Sequence, residues 1–220
     1  MDDDLDDLIR RVDPDRWLSS RFIGDARARA DVIAIYAYDH ELARAPRVAS
    51  NPLLGEIRLT WWREMLDEAY EGRHVRHHPT AQALAEVIRR RDLPRAPLEA
   101  MIDARYRELD AGPMTPDEAL EWARDTGGLS AEVAALILAP GADAGPARAG
   151  GTAWVLARRA EAEPALAAIA AKTGKGARLA VRKLSAEAFP AVAHAALPGR
   201  RRSALMDRLK LTLAVARGRI

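Results

Sequence analysis

The sequence predicts an all-α fold, and three observations support this prediction. Apolar residues make up 49% of the chain but aromatic residues only 5%, and the abundance of alanine favours helices over sheets. No segment alternates between apolar and polar residues with the period of two that a strand requires. The thirteen prolines and fourteen glycines lie mostly between segments of helical periodicity, where they punctuate helices. A length of 220 residues predicts a single helical domain over 1–220.

Proline, glycine and capping residues define the predicted elements in the first two thirds of the chain. Pro46 is expected to stop or kink a long helix, and Asn51 is a suitable cap for the next one. Thr115, followed by Pro116 and Glu118, has the composition of a capping box. The predicted elements are a helix over 2–12, a connector or helical turn over 16–22, and helices over 25–45, 52–70, 79–91, 97–110 and 115–139.

Beyond residue 139 the sequence predicts shorter elements. Pro140–Gly151 is rich in glycine, alanine and proline and is predicted to be a linker, at which the domain could be subdivided. The segments that follow are rich in alanine and have helical periodicity. The predicted helices cover 152–159, 164–172, 175–183 and 185–196, with a final amphipathic segment over 201–217.

Composition excludes several classes of site and location. The absence of cysteine excludes disulfides, thiolate metal sites and thiol nucleophiles, and it fits a reducing cytosol. Met1–Asp7 is acidic, unlike a secretory signal or a transit peptide. No apolar run reaches the roughly 18–20 residues that span a bilayer. We therefore expect a cytoplasmic protein that is at most peripheral to the inner membrane.

Charge is unevenly distributed along the chain. From Ala147 onward there are fifteen basic and four acidic residues, a net charge of +11, whereas the remainder carries −9. This asymmetry indicates an anionic partner or docking between the two ends of the chain, and the alternative is a solvated arginine-rich surface. The amphipathic segment 201–217 could lie on an anionic membrane or pack on the body of the protein. No motif supports a nucleic-acid partner, and none is expected.

The segment Tyr-Ala-Tyr-Asp-His-Glu-Leu-Ala-Arg at 36–44 resembles the first signature helix of the squalene/phytoene synthase family. That helix reads roughly Tyr-x-Phe-x-Arg-x-x-Asp-Asp-x-x-Asp, and its three aspartate positions fall here on Ala43, Arg44 and Arg47. The resemblance is good from Asp15 to Ala139 and weak afterwards. Further matches lie at Ser19–Phe22, Asn51–Arg63, Asp103–Asp110 and Gly127–Gly128, and the second of these resembles a divergent branch of the family.

The resemblance implies an isoprenoid-synthase-like helical bundle around a central cavity. Family members bind magnesium with two facing sets of carboxylates, which neutralise the diphosphate leaving group. The second set follows Asp-x-x-x-Asp, yet no aspartate occurs here between Asp143 and Asp207. Gly151–Arg159 takes its place, with arginines instead of carboxylates. We therefore predict a protein without prenyltransferase activity, catalytic residues or metal ligands, in which magnesium would be a cofactor only if the enzyme alternative held.

The resemblance also suggests which side chains line the former substrate cavity. Core packing explains the tyrosine and the tryptophans equally well, and Asp39 could instead be a surface acid paired locally on its helix. His74, His77 and His78 are expected to form a surface loop, because their spacing does not meet the needs of a zinc site. The cavity candidates are Tyr36, Asp39, His40, Arg44, Arg47, Trp61, Trp122 and Trp154.

The divergent branch includes bacterial proteins and a mitochondrial factor for the assembly of respiratory complex I. The resemblance therefore implies an assembly or interaction factor near the respiratory membrane, with a protein partner there. An isoprenoid or lipid ligand and an anionic membrane surface are further candidate partners. Two alternatives stay open. One is a magnesium-dependent prenyltransferase that condenses two prenyl diphosphates in isoprenoid or carotenoid biosynthesis, and the other is a lipid-binding module of the membrane surface.

Overall fold

The computed structural model describes residues 2–49, 51–197 and 203–220, and within these ranges every regular element is helical. The all-α prediction is therefore confirmed. None of the described helices is both long and apolar enough to cross a membrane. The helices are α1 (Asp2–Val12), α2 (Pro14–Ser20), α3 (Ala26–Arg47), α4 (Pro52–Tyr70), α5 (Pro79–Arg91), α6 (Arg95–Tyr106), α7 (Pro116–Ala123), α8 (Leu129–Leu138), α9 (Gly145–Ala162), α10 (Ala167–Ala180) and α11 (Ala204–Arg217).

Helix starts in the first two thirds of the chain follow the predicted capping chemistry. The Asn51 side chain accepts a hydrogen bond from the Leu54 amide at 3.0 Å, and Thr115 forms a complete capping box with Glu118. Pro46 does not stop α3, which continues to Arg47. The helix tolerates Pro46 because it ends one residue later, so the missing N–H disturbs only its last turn.

Helix α3 is the centre of the molecule. Its middle is buried on every side, with Val32, Ile35, Ala37, Tyr38 and Leu42 all inaccessible to solvent. A helix that is apolar around its whole circumference needs neighbours on each face. Helices α1, α4, α5, α6 and α8 provide them, so α3 holds the side chains around which the rest of the fold is arranged.

Close packing of glycines joins α9 to the helices before it. A π-helical turn over Arg124–Gly128 links α7 to α8, at the glycines towards which the sequence predicts one helix to lead and from which it predicts a continuation to Ala139. A Cβ atom on Gly151 would collide with the carbonyl oxygen of Gly127 and lie 2.7 Å from the Cβ of Ala131. The predicted linker Pro140–Gly151 is therefore wrong in its second half, because its glycines let helices approach closely instead of breaking α9.

The last third also departs from the predicted boundaries. The helices expected over 164–172 and 175–183 are largely one helix, α10, which passes through Gly174. The helix expected over 185–196 is instead a pair of buried 3₁₀ turns, Phe189–Ala191 and Ala193–Ala196, because Pro190 cannot continue an α-helix. Near the N-terminus, the connector or helical turn expected over 16–22 is mostly the helix α2. Residues 201–202 of the final predicted segment lie outside the described ranges.

One apolar core extends from Leu5 in α1 to Ala214 in α11. A smaller cluster, which includes Trp122 and Leu156, fills the space between α7 and α9. Residues on both sides of 140–151 therefore contribute to the same core. The assignment of 1–220 to one domain stays a prediction.

Candidate functional site

A cleft of about 500 Å³ opens between α3 and α9. We call it the central cleft. Among its lining residues are Asp39, His40 and Arg47 from α3, Trp122 from α7 and Trp154 from α9. The structure thus brings together five of the eight cavity candidates. A sixth, Tyr36, is fully buried behind the cleft, and the guanidinium of Arg16 lies 5.1 Å from the centre of its ring.

Asp39 occupies the floor of the central cleft and binds two arginines. Its Oδ2 atom accepts a hydrogen bond from Nη1 of Arg16 at 2.5 Å, and its Oδ1 atom accepts one from Nη2 of Arg105 at 2.6 Å. All three residues are buried. The alternative that Asp39 is a surface acid paired along its own helix is therefore wrong, because its partners come from α2 and α6. The spacing of residues along the chain indicates neither arginine.

The electrostatics of this cluster keep Asp39 ionised. Burial by itself would raise its pKa, but the charges and hydrogen bonds of Arg16 and Arg105 outweigh burial and lower the pKa below the ordinary value of 3.8. Arg105 also binds Glu108 at 2.6 Å, which accepts a hydrogen bond from the Trp122 indole at 2.9 Å. Asp39 is thus a carboxylate whose two oxygens are already bound, so it is poorly placed to act as a base.

Arginines stack on both tryptophans of the central cleft. The guanidinium groups of Arg16 and Arg158 each lie 4.7 Å from the centre of the Trp154 ring. Arg159 lies 4.7 Å from the Trp122 ring. Such contacts between a cation and an aromatic face are stabilising, more so when they are shielded from water. The tryptophans therefore form part of a charged wall rather than an apolar tunnel.

A buried histidine lies beside this wall. His194, from the second 3₁₀ turn, packs edge-to-face against Trp154, with 4.7 Å between ring centres, and neither of its ring nitrogens has a hydrogen-bond partner. Burial, together with the charges of Arg16 and Arg158, lowers the His194 pKa well below 6.5. Burial likewise raises the pKa of Tyr36. Both side chains are therefore neutral at physiological pH. No motif in the sequence marks His194 as part of this site.

Four residues that the resemblance aligns with metal-binding segments of the family line the central cleft. Ala43 and Arg47 of α3 and Arg158 and Arg159 of α9 all line the central cleft. The two segments that would carry the carboxylate sets therefore do share one cleft, as the resemblance implied. At the four positions named, they present three arginines and an alanine to it, and no carboxylate.

The residues of the central cleft do not fit a magnesium ion. Magnesium requires oxygen ligands in near-octahedral geometry. Four acids line the cleft, and each is within 4 Å of an arginine nitrogen: Asp13, Asp39, Glu108 and Glu163. In the part of the chain that the structure describes, no three His, Asp or Glu side chains come together as a metal site would require.

Two cavity candidates, Arg44 and Trp61, lie elsewhere. They line a second depression of about 220 Å³ between α3 and α4, which we call the outer groove. His78 packs edge-to-face on Trp61 and Trp62 there, 5.7 and 5.3 Å from their ring centres. His78 is thus half-buried against tryptophans, unlike the free surface-loop residue that was expected. The lining of the outer groove is Glu41, Arg44, Ala45, Val48, Arg58, Trp61, Trp62 and His78.

Comparisons with known proteins agree with this architecture. Residues 9–161, more than half of the chain, match the family described as "Squalene/phytoene synthase". The fold resembles the crystal structure of a dehydrosqualene synthase in complex with ligand, with a TM-score of 0.72 and 14% identity over 98% of this chain and 95% of that one. At this identity the likeness shows the fold alone, and it confirms the predicted isoprenoid-synthase-like bundle.

Curated relatives carry the name "NADH dehydrogenase (ubiquinone) complex I, assembly factor 6". The Bos taurus protein is 30% identical over 104 residues, which are 47% of this chain and 31% of that protein. The Homo sapiens protein is 28% identical over the same share of each chain. The match therefore spans about a third of the length of these relatives.

Proposed function

The chain belongs to the squalene/phytoene synthase family, and we propose that it uses the family scaffold for protein interaction, not for prenyl transfer. Its role would be that of an assembly or interaction factor near the respiratory membrane, for complex I. One observation carries this proposal: the two facing segments of the central cleft present Ala43, Arg47, Arg158 and Arg159. Carboxylates at these positions would bind magnesium, whereas arginines repel it.

The floor of the central cleft supports the same proposal. Prenyl transfer in the family needs a site that ionises an allylic diphosphate in the presence of bound metal. Here Asp39 is saturated by Arg16 and Arg105, and Trp154 is covered by the guanidiniums of Arg16 and Arg158. This network stabilises the fold and lines the cleft with charged groups, which are a poor surface for a long apolar chain. The enzyme alternative, a condensation of two prenyl diphosphates, has less support.

The role in assembly is supported by the relatives named as complex I assembly factors. Its test is a strain that lacks the gene. We expect lower levels of assembled complex I in its membranes, measured by native gel electrophoresis and by NADH–quinone activity. A plasmid copy of the gene should restore both. Unchanged assembly and activity in the deletion strain would contradict the proposal.

A membrane-surface module is a second candidate, favoured by the exposed face of α11. Leu205 is 76% exposed and Leu209 51% exposed, and Leu213 continues the same face. Arg208 and Lys210 lie beside them, as in helices that lie on anionic membranes. This would place the chain on the cytoplasmic face of the inner membrane. Co-sedimentation with phosphatidylglycerol vesicles at low salt tests it, and the absence of binding there would remove it.

An isoprenoid or lipid ligand is a further proposal, and its best location is not the central cleft. A groove of about 420 Å³ between α9 and α10 is lined mainly by alanines, with Arg158 and Arg178 among its polar residues. Small apolar side chains can accept an alkyl or prenyl tail, and the arginines can bind an anionic headgroup. Native mass spectrometry of the protein purified from membranes would detect such a ligand.

A further inference from the structure

We propose that the outer groove binds an acidic amphipathic helix of a partner protein. The inference rests on the proposed function, because it assigns the surface through which an interaction factor would contact its partner. It draws on the segment Asn51–Arg63, which the sequence analysis singled out and which the central cleft does not use. Four kinds of observation support it: an uncovered apolar stripe, a rigid aromatic floor, a cationic rim and a concave shape.

The apolar stripe runs along the outer side of α4. Leu53, Ile57 and Trp61 recur every four residues and therefore share one face of the helix. Leu53 is 62% exposed and Ile57 is 55% exposed. The opposite face is already packed, since Leu109 lies against Gly55. An uncovered stripe of large apolar side chains in the described structure marks a surface for interaction.

The floor of the outer groove is aromatic and held in place. Trp61 and Trp62 pack edge-to-face with 4.9 Å between ring centres, and His78 packs on both rings. The guanidinium of Arg76 lies 5.6 Å from the Trp61 ring and is itself fixed by Glu68 at 2.8 Å. A tryptophan fixed in advance loses little conformational entropy on binding, and tryptophans are frequent anchors of interfaces.

The rim of the outer groove is cationic. Arg58 is exposed and makes no ion pair with any residue that the structure describes. The Arg44 side chain is 56% exposed, and Glu41, at 3.3 Å, is its ion-pair partner. Arg44 and Arg58 outnumber Glu41 at this rim, and a net positive charge selects a partner of the opposite sign and directs its orientation. Carboxylates on the partner would meet Arg44 and Arg58.

The shape of the outer groove favours a helix as the occupant. The depression lies between α3 and α4 and has room for a large apolar side chain, and Trp61 belongs both to its lining and to the apolar stripe on α4. Recognition of this kind, in which apolar residues on one face of a helix enter a groove, is common among protein partners. A lipid surface offers no side chain that would fill the depression. The chain's own acidic helix, α1, is already engaged, because Leu5 and Ile9 are buried in its own core.

The test is binding of two fluorescein-labelled peptides to the full chain, measured by fluorescence anisotropy. Each peptide is about 15 residues long, near the length at which isolated helices become stable, with leucine at every fourth position. One carries glutamates beside the leucines and the other carries lysines. We expect the glutamate peptide to bind and the lysine peptide to bind at least about tenfold more weakly, because its charges repel the arginines of the rim.

Variants assign the binding to the outer groove. Arg58→Glu should weaken the glutamate peptide and strengthen the lysine peptide, whereas Arg58→Lys should keep the wild-type preference. The matched control is Arg89→Glu in α5, which also reverses the charge of an exposed arginine that makes no ion pair with the described residues, and it should change neither affinity. Circular dichroism of each variant confirms the fold.

Three results would overturn the inference. The first is failure of the glutamate peptide to bind, and the second is equal binding of both peptides or insensitivity to Arg58→Glu. The third is a wild-type dimer in sedimentation that Ile57→Ser dissociates, since the occupant would then be a second copy of the chain. Because the assay does not involve complex I, its failure leaves the proposed function untouched. Normal complex I in the deletion strain would likewise leave the peptide result standing.

Discussion

Helix α3 contributes to two depressions of opposite character. On the side of the central cleft, charged groups are buried and bound to one another, as Asp39 is to Arg16 and Arg105. On the side of the outer groove, apolar groups are exposed, as Val48 and Ile57 are. A catalytic cleft would keep reactive groups available and a purely structural surface would cover its apolar residues. The difference indicates that the charged groups of the central cleft stabilise the fold, whereas the apolar side chains beside the outer groove are not used by it.

The largest expected effect comes from removing the carboxylate at the floor of the central cleft. Asp39→Ala leaves the guanidiniums of Arg16 and Arg105 buried without their shared partner, and we expect a loss of about 3–5 kcal/mol in the free energy of unfolding. Urea denaturation followed by circular dichroism measures it. Glu41→Ala, two residues away, removes an ion pair whose arginine, Arg44, is 56% exposed and should cost about 0–1 kcal/mol. Similar losses in both variants would show that the two sides of α3 do not differ.

The next effect tests how the α9 wall of the central cleft is held. Gly151→Ala forces a methyl group against Gly127 and Ala131, so we expect it to destabilise the protein by about 1–3 kcal/mol. Gly174→Ala in α10 is the matched control, because nothing lies within 4 Å of the added atom. There the substitution should stabilise the protein by about 0.5–1 kcal/mol, through helix propensity. A neutral Gly151→Ala would refute the close approach of α9 to Gly127.

Acidification should lower the free energy of unfolding through His194, which packs against Trp154 beside the central cleft. Its pKa lies well below 6.5 in the folded protein, so the unfolded chain binds a proton that the folded chain excludes. The contribution to stability is complete above about pH 6.5 and is lost as the pH falls below it. His194→Phe removes this dependence, since the ring nitrogens have no partners to lose. Unfolding free energies measured from about pH 7.5 to about pH 5 should fall more steeply in wild type, and parallel curves would contradict the neutral, buried histidine.

The smallest effect on stability is expected on the apolar stripe of α4 beside the outer groove. Ile57→Ser alters a residue that is 55% exposed, so the free energy of unfolding should change by no more than about 0.5 kcal/mol. In the deletion strain, however, this variant should restore complex I less well than wild type does. Leu179→Ser, at a residue that is 64% exposed on α10, is the control and should restore it fully. Full restoration by Ile57→Ser would separate the outer groove from the assembly function.

How much the sequence could predict differs between the two ends of the chain. The starts of α4 and α7 depend on local chemistry, in Asn51 and Thr115, and were predicted correctly. Gly151, within α9, packs against Gly127, 24 residues earlier in the chain. Such a tertiary contact is not visible in local composition, which therefore predicts a linker there. The same reason applies to the site: a resemblance could place Asp39 in the cleft, but its partners on α2 and α6 are set by tertiary packing.

We propose that the central cleft does not support magnesium-dependent prenyl transfer. Incubation of the purified chain with farnesyl or geranylgeranyl diphosphate and magnesium, followed by chromatography of the extracted products, tests it most directly. Because arginines stand at both former metal-binding positions, we predict that the diphosphates are recovered unchanged. A head-to-head condensation product that forms only when magnesium is present would contradict the account.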